Sequence, residues 1–179
     1  MDCAQRGFNL LEAMMAMCIL AIGASLALPA FKSTLESVRT SAALNQTIAT
    51  LASARSTAVM RRQVVSVCPS QDRLTCRNDG VWEDGWIMFV DAGKSGQPAD
   101  AAGILRAADP LNPSLILRAT PGRDRARFQP DGRSAGSTLT LSLCLRDDHR
   151  PLGQVILNNW GRARSLRHPA QDPTCASAP

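Results

Sequence analysis

The stretch Arg6-Gly7-Phe8-Asn9-Leu10-Leu11-Glu12, followed by the uncharged run Ala13–Phe31, decides the fold of this chain. At a rise of about 1.5 Å per residue, a helix from Phe8 to Phe31 would cover roughly 36 Å. The hydrocarbon core of a bilayer is roughly 30 Å thick. Residues 8–31 are therefore predicted to form a membrane-spanning helix.

The segment before this helix, Met1–Gly7, is much shorter than an ordinary secretory leader. In an ordinary leader the apolar segment is itself discarded on cleavage. Here the small residue at a cleavage point, Gly7, precedes the apolar run. A cut after Gly7 would therefore keep the apolar run in the mature protein.

Glu12 places a carboxylate inside the predicted membrane helix, which costs about 2.5 kcal/mol or more and indicates a functional residue. Such a carboxylate needs a partner. After cleavage the new α-ammonium group of Phe8, or the same group on a neighbouring copy, would lie within reach. The alternative is a plain signal anchor in which Glu12 sits at the membrane surface.

This combination resembles the class III leader of type IV prepilins and pseudopilins, in which a short basic leader precedes Gly, Phe and a Glu at the fifth mature position. Gly7, Phe8 and Glu12 match that pattern, and Pro29 falls where pilin helices often carry a proline. The resemblance implies cleavage between Gly7 and Phe8 by a prepilin peptidase and N-methylation of Phe8. It also implies assembly with other pilins and minor pilins by stacking of the N-terminal helices, a process in which Glu12 would act.

Beyond residue 31 the helix is predicted to continue to about Met60. Leu44, Ile48, Leu51 and Ala58 recur at near-helical spacing and form an apolar stripe that would pack on a globular domain. About seven short strands with hairpin-like spacing follow. The prediction is an α+β fold with a leader over 1–7, a helix over 8–62 with its membrane part over 8–31, and an antiparallel β-rich domain over 63–179.

Four cysteines follow the predicted membrane segment: Cys68, Cys76, Cys144 and Cys175. An even number in an exported domain favours disulfides, and three connectivities are possible. Cys68 and Cys76 bound a short loop that begins with a proline, so we predict that they pair and that Cys144 pairs with Cys175. A zinc site is the alternative, but the chain has no CxxC motif.

Three further stretches, Val-Ser-Val-Cys-Pro at 65–69, Asp84–Asp91 and Asn159–Arg164, resemble the FimT/GspH group of minor pilins. With these stretches the resemblance covers nearly the whole chain. The Gly-Arg-x-Arg ending points to FimT rather than to the secretion pseudopilin GspH. The resemblance implies a single-pass inner-membrane protein with a periplasmic C-terminal domain, incorporated into a pilus at the cell surface.

The net charge of +5 comes almost entirely from residues 118–167, which hold ten Arg and four Asp. Such clustering favours a polyanionic partner such as nucleic acid, lipopolysaccharide or an acidic protein face. The alternative is solvated arginine throughout the surface, since the chain has 18 Arg and only two Lys.

Gly161-Arg162-Ala163-Arg164 is the best candidate for the binding site. In an extended segment Arg162 and Arg164 project to one side, about 6.5–7 Å apart, close to the phosphate spacing of a DNA strand. Gly161 permits a turn or a close backbone approach, and arginine donates several hydrogen bonds to phosphate. Arg167 and Arg150 are predicted to extend the patch. Trp160 is predicted to be a packed anchor of the turn rather than a base-stacking platform, because one lone tryptophan cannot make an extended stacking track.

No arrangement in the sequence supports catalysis, a metal or a cofactor. Ala92-Gly93-Lys94-Ser95 lacks the earlier glycine of a phosphate-binding loop, and Asp147-Asp148 fits a solvated turn. Two functions remain open. The chain is predicted to be a minor pilin that binds double-stranded DNA for natural transformation, or else a structural minor pilin or type II secretion pseudopilin that binds no DNA.

Overall fold

The computed structural model describes residues 10–134, 136, 138–167, 169 and 172–176. Gly7 and Phe8, the predicted cleavage and methylation residues, lie outside them. A long helix, α1, runs over Leu10–Arg61, a short 3₁₀ helix over Ala101–Gly103 and a single turn, α2, over Pro173–Ala176. The strands are β1 (Val65–Pro69), β2 (Trp86–Val90), β3 (Ile104–Ala108), β4 (Leu115–Ala119), β5 (Ala126–Phe128), β6 (Leu139–Leu145), β7 (Pro151–Leu157) and β8 (Ala163–Arg167).

The described strands form two antiparallel sheets of four strands each. The first has the order β3-β2-β1-β5 and the second the order β4-β6-β7-β8. In the second sheet β6, β7 and β8 are joined by two consecutive hairpins, and β8 lies at one edge. The α+β prediction is confirmed, with eight strands in place of about seven.

Two compact units divide inside α1, between Arg39 and Thr40. In the second unit the helix buries the predicted stripe: Leu44, Leu51 and Ala58 are buried, and Ile48 packs against the same core. In the first unit Glu12 lies in the first described turn of α1 and is exposed. Among the residues that the structure describes, no helix is both long and apolar enough to cross a membrane.

The main core of the second unit lies where the C-terminal part of α1 meets both sheets. Alternate residues of β1, β2, β5 and of β4, β6, β7 point into it because successive side chains of a strand face opposite sides. Trp86, Phe128 and Leu141 are among its fully buried members. The indole Nε1 of Trp86 donates to the Thr50 hydroxyl on α1, 3.2 Å away.

The segment before β2 connects the two sheets through Glu83. The buried Glu83 carboxylate pairs with Arg118 of β4, 2.7 Å away, and accepts the Leu117 backbone N–H at 3.2 Å. Burial raises the pKa of this carboxyl above its usual value, and the Arg118 charge acts in the opposite direction. The ion pair therefore links β4 of the second sheet to the segment that leads into β2 of the first sheet.

Disulfides join Cys68 to Cys76 and Cys144 to Cys175, with Cα–Cα distances of 5.5 and 5.8 Å. This is the connectivity predicted among the three. The first pair packs with Ile87 and Phe89 on one face of the first sheet. The second packs with Ile116 and holds α2 against the second sheet. Cys18, which lies in α1, is free and exposed.

Candidate nucleic-acid interface

The β7–β8 hairpin turns through Asn159, Trp160 and Gly161. The backbone N–H of Gly161 donates to the Asn158 carbonyl at 2.9 Å, and Asn158 N–H donates to the Arg162 carbonyl at 3.1 Å. The Asn158 side-chain oxygen accepts the Arg162 N–H at 3.0 Å. These bonds fix the position at which Arg162 enters the edge strand.

Gly161 is required here for two reasons. Its φ of +74° is one that L side chains rarely adopt, and an added Cβ would lie only 2.1 Å from the Gly132 carbonyl oxygen. The hairpin tip therefore lies directly against the 129–134 turn. Ser134 N–H completes the contact by donating to the Asn159 carbonyl at 3.0 Å.

Arg162 and Arg164 are both exposed at this edge. Arg164 lies opposite Ile156 in the β7–β8 register, and Arg162 precedes the strand by one residue, so the two alternate with Ala163. Within the described part of the chain, neither guanidinium has a hydrogen-bond or ion-pair partner. Both are therefore available to an anionic ligand.

Arg150 and Arg167 do not lie in one patch with Arg162 and Arg164. Arg150 precedes β7 and Arg162 follows it, so they lie at opposite ends of a strand about 20 Å long. Arg150 also pairs with Asp148, 3.5 Å away. Arg167 ends β8 opposite Gly153, on the face opposite that of Arg164, and donates to the Ser41 hydroxyl of α1 at 2.5 Å. The predicted extension of the patch through these two residues was wrong.

A groove beside the hairpin brings in arginines that the sequence did not single out. We call it the Trp160 groove; it is lined by Arg55, Asp131, Arg133, Asn158, Trp160 and Arg162. Arg55 of α1 donates from Nε to the Gly132 carbonyl at 3.0 Å. Three arginines against one aspartate give the groove a net positive charge.

Trp160 is 62% exposed, so the prediction of a packed anchor was wrong. The guanidinium carbon of Arg133 lies 4.6 Å from the centre of its ring, a cation–π contact. Asp131 is 3.7 Å from the Arg133 Nε. The backbone bonds of the turn, rather than burial of the indole, hold the hairpin tip in place.

The model of the family described as type II transport protein GspH matches residues 43–161, about two thirds of the chain. The chain belongs to the GspH family. The match covers the C-terminal part of α1 and seven of the eight described strands, and it ends at Gly161. Arg162 and Arg164 therefore lie just beyond the part that defines membership of the GspH family.

Solved structures with a similar fold include the type IV minor pilin FimU of Pseudomonas aeruginosa in two crystal forms. One has a TM-score of 0.58 and 21% identity over 75% of this chain and 98% of FimU. The other has a TM-score of 0.57 and 22% identity over 80% of this chain and 95% of FimU. The minor pseudopilin EpsH of the Vibrio cholerae type 2 secretion system has a TM-score of 0.48 and 14% identity over 72% of this chain and 97% of EpsH.

A search of the curated proteins gives no match. Family membership and the pilin fold identify the chain as a pilin-like structural component of the cell envelope, in a type IV pilus or a type II secretion apparatus. Such a component interacts with other pilins in a filament.

Proposed function

We propose that this GspH-family chain is a minor pilin that binds double-stranded DNA without sequence specificity and supports DNA uptake in natural transformation. The observation that carries the proposal is the pair of exposed guanidinium groups of Arg162 and Arg164 at the start of edge strand β8, which have no partner among the described residues. FimU, which shares the fold, is itself a type IV minor pilin.

The arginine pair suits a phosphate backbone. Residues two apart in a strand are about 6.5–7 Å apart, close to the phosphate spacing along one DNA strand. Arg55 and Arg133 of the Trp160 groove add positive charge beside them. A short hairpin with few aromatic residues offers little readout of base edges, so its contacts are expected to be mainly to phosphate and independent of sequence.

Salt dependence tests this binding mode. If about three phosphates are neutralised, the slope of log affinity against log salt on duplex DNA is about −2.7. Arg162→Gln or Arg164→Gln each flattens the slope by about one unit and weakens all sequences alike. The measurement is fluorescence anisotropy of a labelled duplex with the full-length chain in detergent, between about 50 and about 200 mM salt.

Arg106→Gln is the matched control, because Arg106 is also exposed on an edge strand, β3, but in the other sheet. It removes the same charge and is expected to leave the salt slope unchanged. An equal effect of all three substitutions would show attraction by net charge alone. Absence of binding at low salt would favour the alternative function, a structural minor pilin or secretion pseudopilin that binds no DNA.

We also propose that the chain is processed and anchored as its leader suggests. Prepilin peptidase would cut between Gly7 and Phe8, and Phe8 would be methylated. Before assembly the uncharged run Ala13–Phe31 would hold the chain in the inner membrane, with the β-rich domain in the periplasm. The support for this part is the sequence of residues 1–31.

Glu12 is proposed to act in filament assembly, because its carboxylate on an apolar helix needs a cationic partner such as the Phe8 α-ammonium group of a neighbouring subunit. Glu12→Ala is expected to reduce the amount of this chain in sheared filaments while its level in the cell stays the same. Quantitative immunoblotting of the two fractions measures this. Normal incorporation of the variant would contradict the assigned role.

A further inference from the structure

We propose that the Trp160 groove takes an unpaired nucleobase, so that the site prefers single-stranded DNA to a duplex. The inference rests on the proposed DNA-binding function and deepens it. It assigns the base to the indole of Trp160 and the adjoining phosphate to Arg162, which line the same groove.

The exposure of Trp160 sets it apart from the other two tryptophans. Trp82 and Trp86 are each 1% exposed and lie 6.1 Å apart, ring centre to ring centre, in the core. A tryptophan buries a large apolar area when it packs, and Trp160 forgoes most of that gain. Sites that stack bases combine an exposed aromatic ring with cationic side chains, and Trp160 and its neighbours provide both.

The indole is carried by a rigid support. Trp160 stands between Asn159, whose carbonyl accepts Ser134 N–H, and Gly161, which lies against Gly132. The 129–134 turn is itself closed by Gly132 N–H to the Gln129 carbonyl at 2.8 Å. A platform fixed before binding costs little conformational entropy when a ligand arrives.

A stacked base would take the face of the Trp160 ring that Arg133 does not cover. The Arg133 guanidinium covers one face, while most of the residue remains exposed. A base stacked on the free face would complete a three-layer stack of base, indole and guanidinium, with the cation–π contact holding the indole in place. Arg162 at the groove wall is then positioned for the phosphate of the same nucleotide.

The pairing state of the DNA decides whether this stack can form. In a duplex the faces of the bases are covered by their neighbours, so Trp160 could contact only the backbone. An unpaired base offers its face freely, and stacking on one aromatic side chain contributes a gain of about fivefold or more in affinity. Phosphate contacts alone would give no such difference between a normal strand and one without bases.

Tryptophan fluorescence of the full-length chain in detergent provides the direct test. The probes are a thymidine oligonucleotide, an abasic oligonucleotide of the same length and charge, and a duplex. Because Trp82 and Trp86 are buried, quenching on binding reports Trp160. We expect the thymidine strand to quench, the abasic strand not to quench, and the thymidine strand to bind about five- to tenfold tighter than the abasic one.

Two substitutions separate stacking from charge. Trp160→Leu is expected to remove the thymidine advantage while duplex affinity stays within about twofold, and Trp160→Phe to retain part of the advantage. Arg162→Gln is expected to weaken all three probes together. Near-ultraviolet circular dichroism of the Trp82–Trp86 pair verifies that each variant is folded.

The outcomes separate the two proposals. Equal binding of thymidine, abasic and duplex probes, with no effect of Trp160→Leu, would overturn the stacking site and leave DNA binding intact. Loss of thymidine and duplex binding alike in Trp160→Leu would also overturn it, because the indole would then act on backbone binding. No binding of any probe by the wild type would overturn the proposed function, and the stacking site with it.

Discussion

Asp72 organises the loop that the Cys68–Cys76 disulfide closes. Its carboxylate accepts the Thr75 hydroxyl at 2.7 Å, the Thr75 and Leu74 N–H groups at 2.8 Å each, and the Ser70 hydroxyl at 3.0 Å. These donors, the Thr75 hydroxyl first, hold the pKa of Asp72 well below its ordinary value. The loop therefore favours the ionised carboxylate.

This shift predicts a pH dependence of stability. Because the folded pKa lies below the unfolded value of 3.8, the contribution of Asp72 is fully present above that pH and is lost as the pH falls through the folded pKa. Asp72→Asn should therefore destabilise the protein at neutral pH, with the difference from wild type narrowing in acid. Urea unfolding of wild type and variant at neutral pH and in acid measures the difference in unfolding free energy.

Asp124→Asn, which removes a carboxylate outside the loop, is the control for the loss of one negative charge. Its difference from wild type is expected to be small at neutral pH. A difference between wild type and Asp72→Asn that is the same at neutral and acid pH would contradict the role given to the Asp72 hydrogen bonds.

Local spacing could predict Arg162 and Arg164 as a pair, because alternation along a strand depends only on neighbouring residues. It could not find Arg55 or Arg133, which reach the Trp160 groove from α1 and from the 129–134 turn. It misplaced Arg150 and Arg167 because closeness in the chain does not reveal which end or face of a strand a residue occupies. It misjudged Trp160 because a lone tryptophan cannot make an extended stacking track, which favoured a packed role, and spacing does not reveal the exposure of a side chain.

At the scale of elements, α1 contributes its stripe to a core shared with both sheets. Leu51 is 1% exposed and lies in the middle of that stripe. Truncating a buried leucine removes its transfer free energy and leaves a cavity, so Leu51→Ala is expected to cost about 2–5 kcal/mol of unfolding free energy. Chemical denaturation followed by circular dichroism measures this cost.

Met60→Ala is the matched control on the same helix. Met60 is 75% exposed in the last turn of α1, so its truncation is expected to change stability by no more than about 0.5 kcal/mol. Similar costs for Leu51→Ala and Met60→Ala would mean that the stripe does not hold the helix on the sheets.

The elements themselves were largely predictable from the sequence. Helical periodicity identified the stripe of α1, and β-branched or alternating runs marked strands such as Val65–Pro69 and Leu139–Leu145. The division into two sheets was not predictable, because β1 pairs with both β2 and the distant β5. That pairing depends on packing across the core and leaves no periodic signal in the chain.

At the scale of the whole molecule, the two disulfides restrict the unfolded chain to different extents. Their cysteines are separated by 8 and 31 residues. On the chain-entropy model, closing loops of these sizes stabilises by about 2–3 and about 4 kcal/mol. The double variants Cys68→Ala/Cys76→Ala and Cys144→Ala/Cys175→Ala should lose these amounts in denaturant unfolding. A larger loss from the short loop would contradict the model.

The connectivity also has a consequence for how the protein matures. Both bonds join cysteines that are consecutive among the four, Cys68 with Cys76 and Cys144 with Cys175. If the β-rich domain is exported from its N-terminal end, as proposed, the second cysteine of each pair emerges directly after its native partner. An oxidase that joins thiols in order of appearance would therefore make only native pairs. The amount of correctly oxidised chain should accordingly be undiminished in cells that lack a disulfide isomerase.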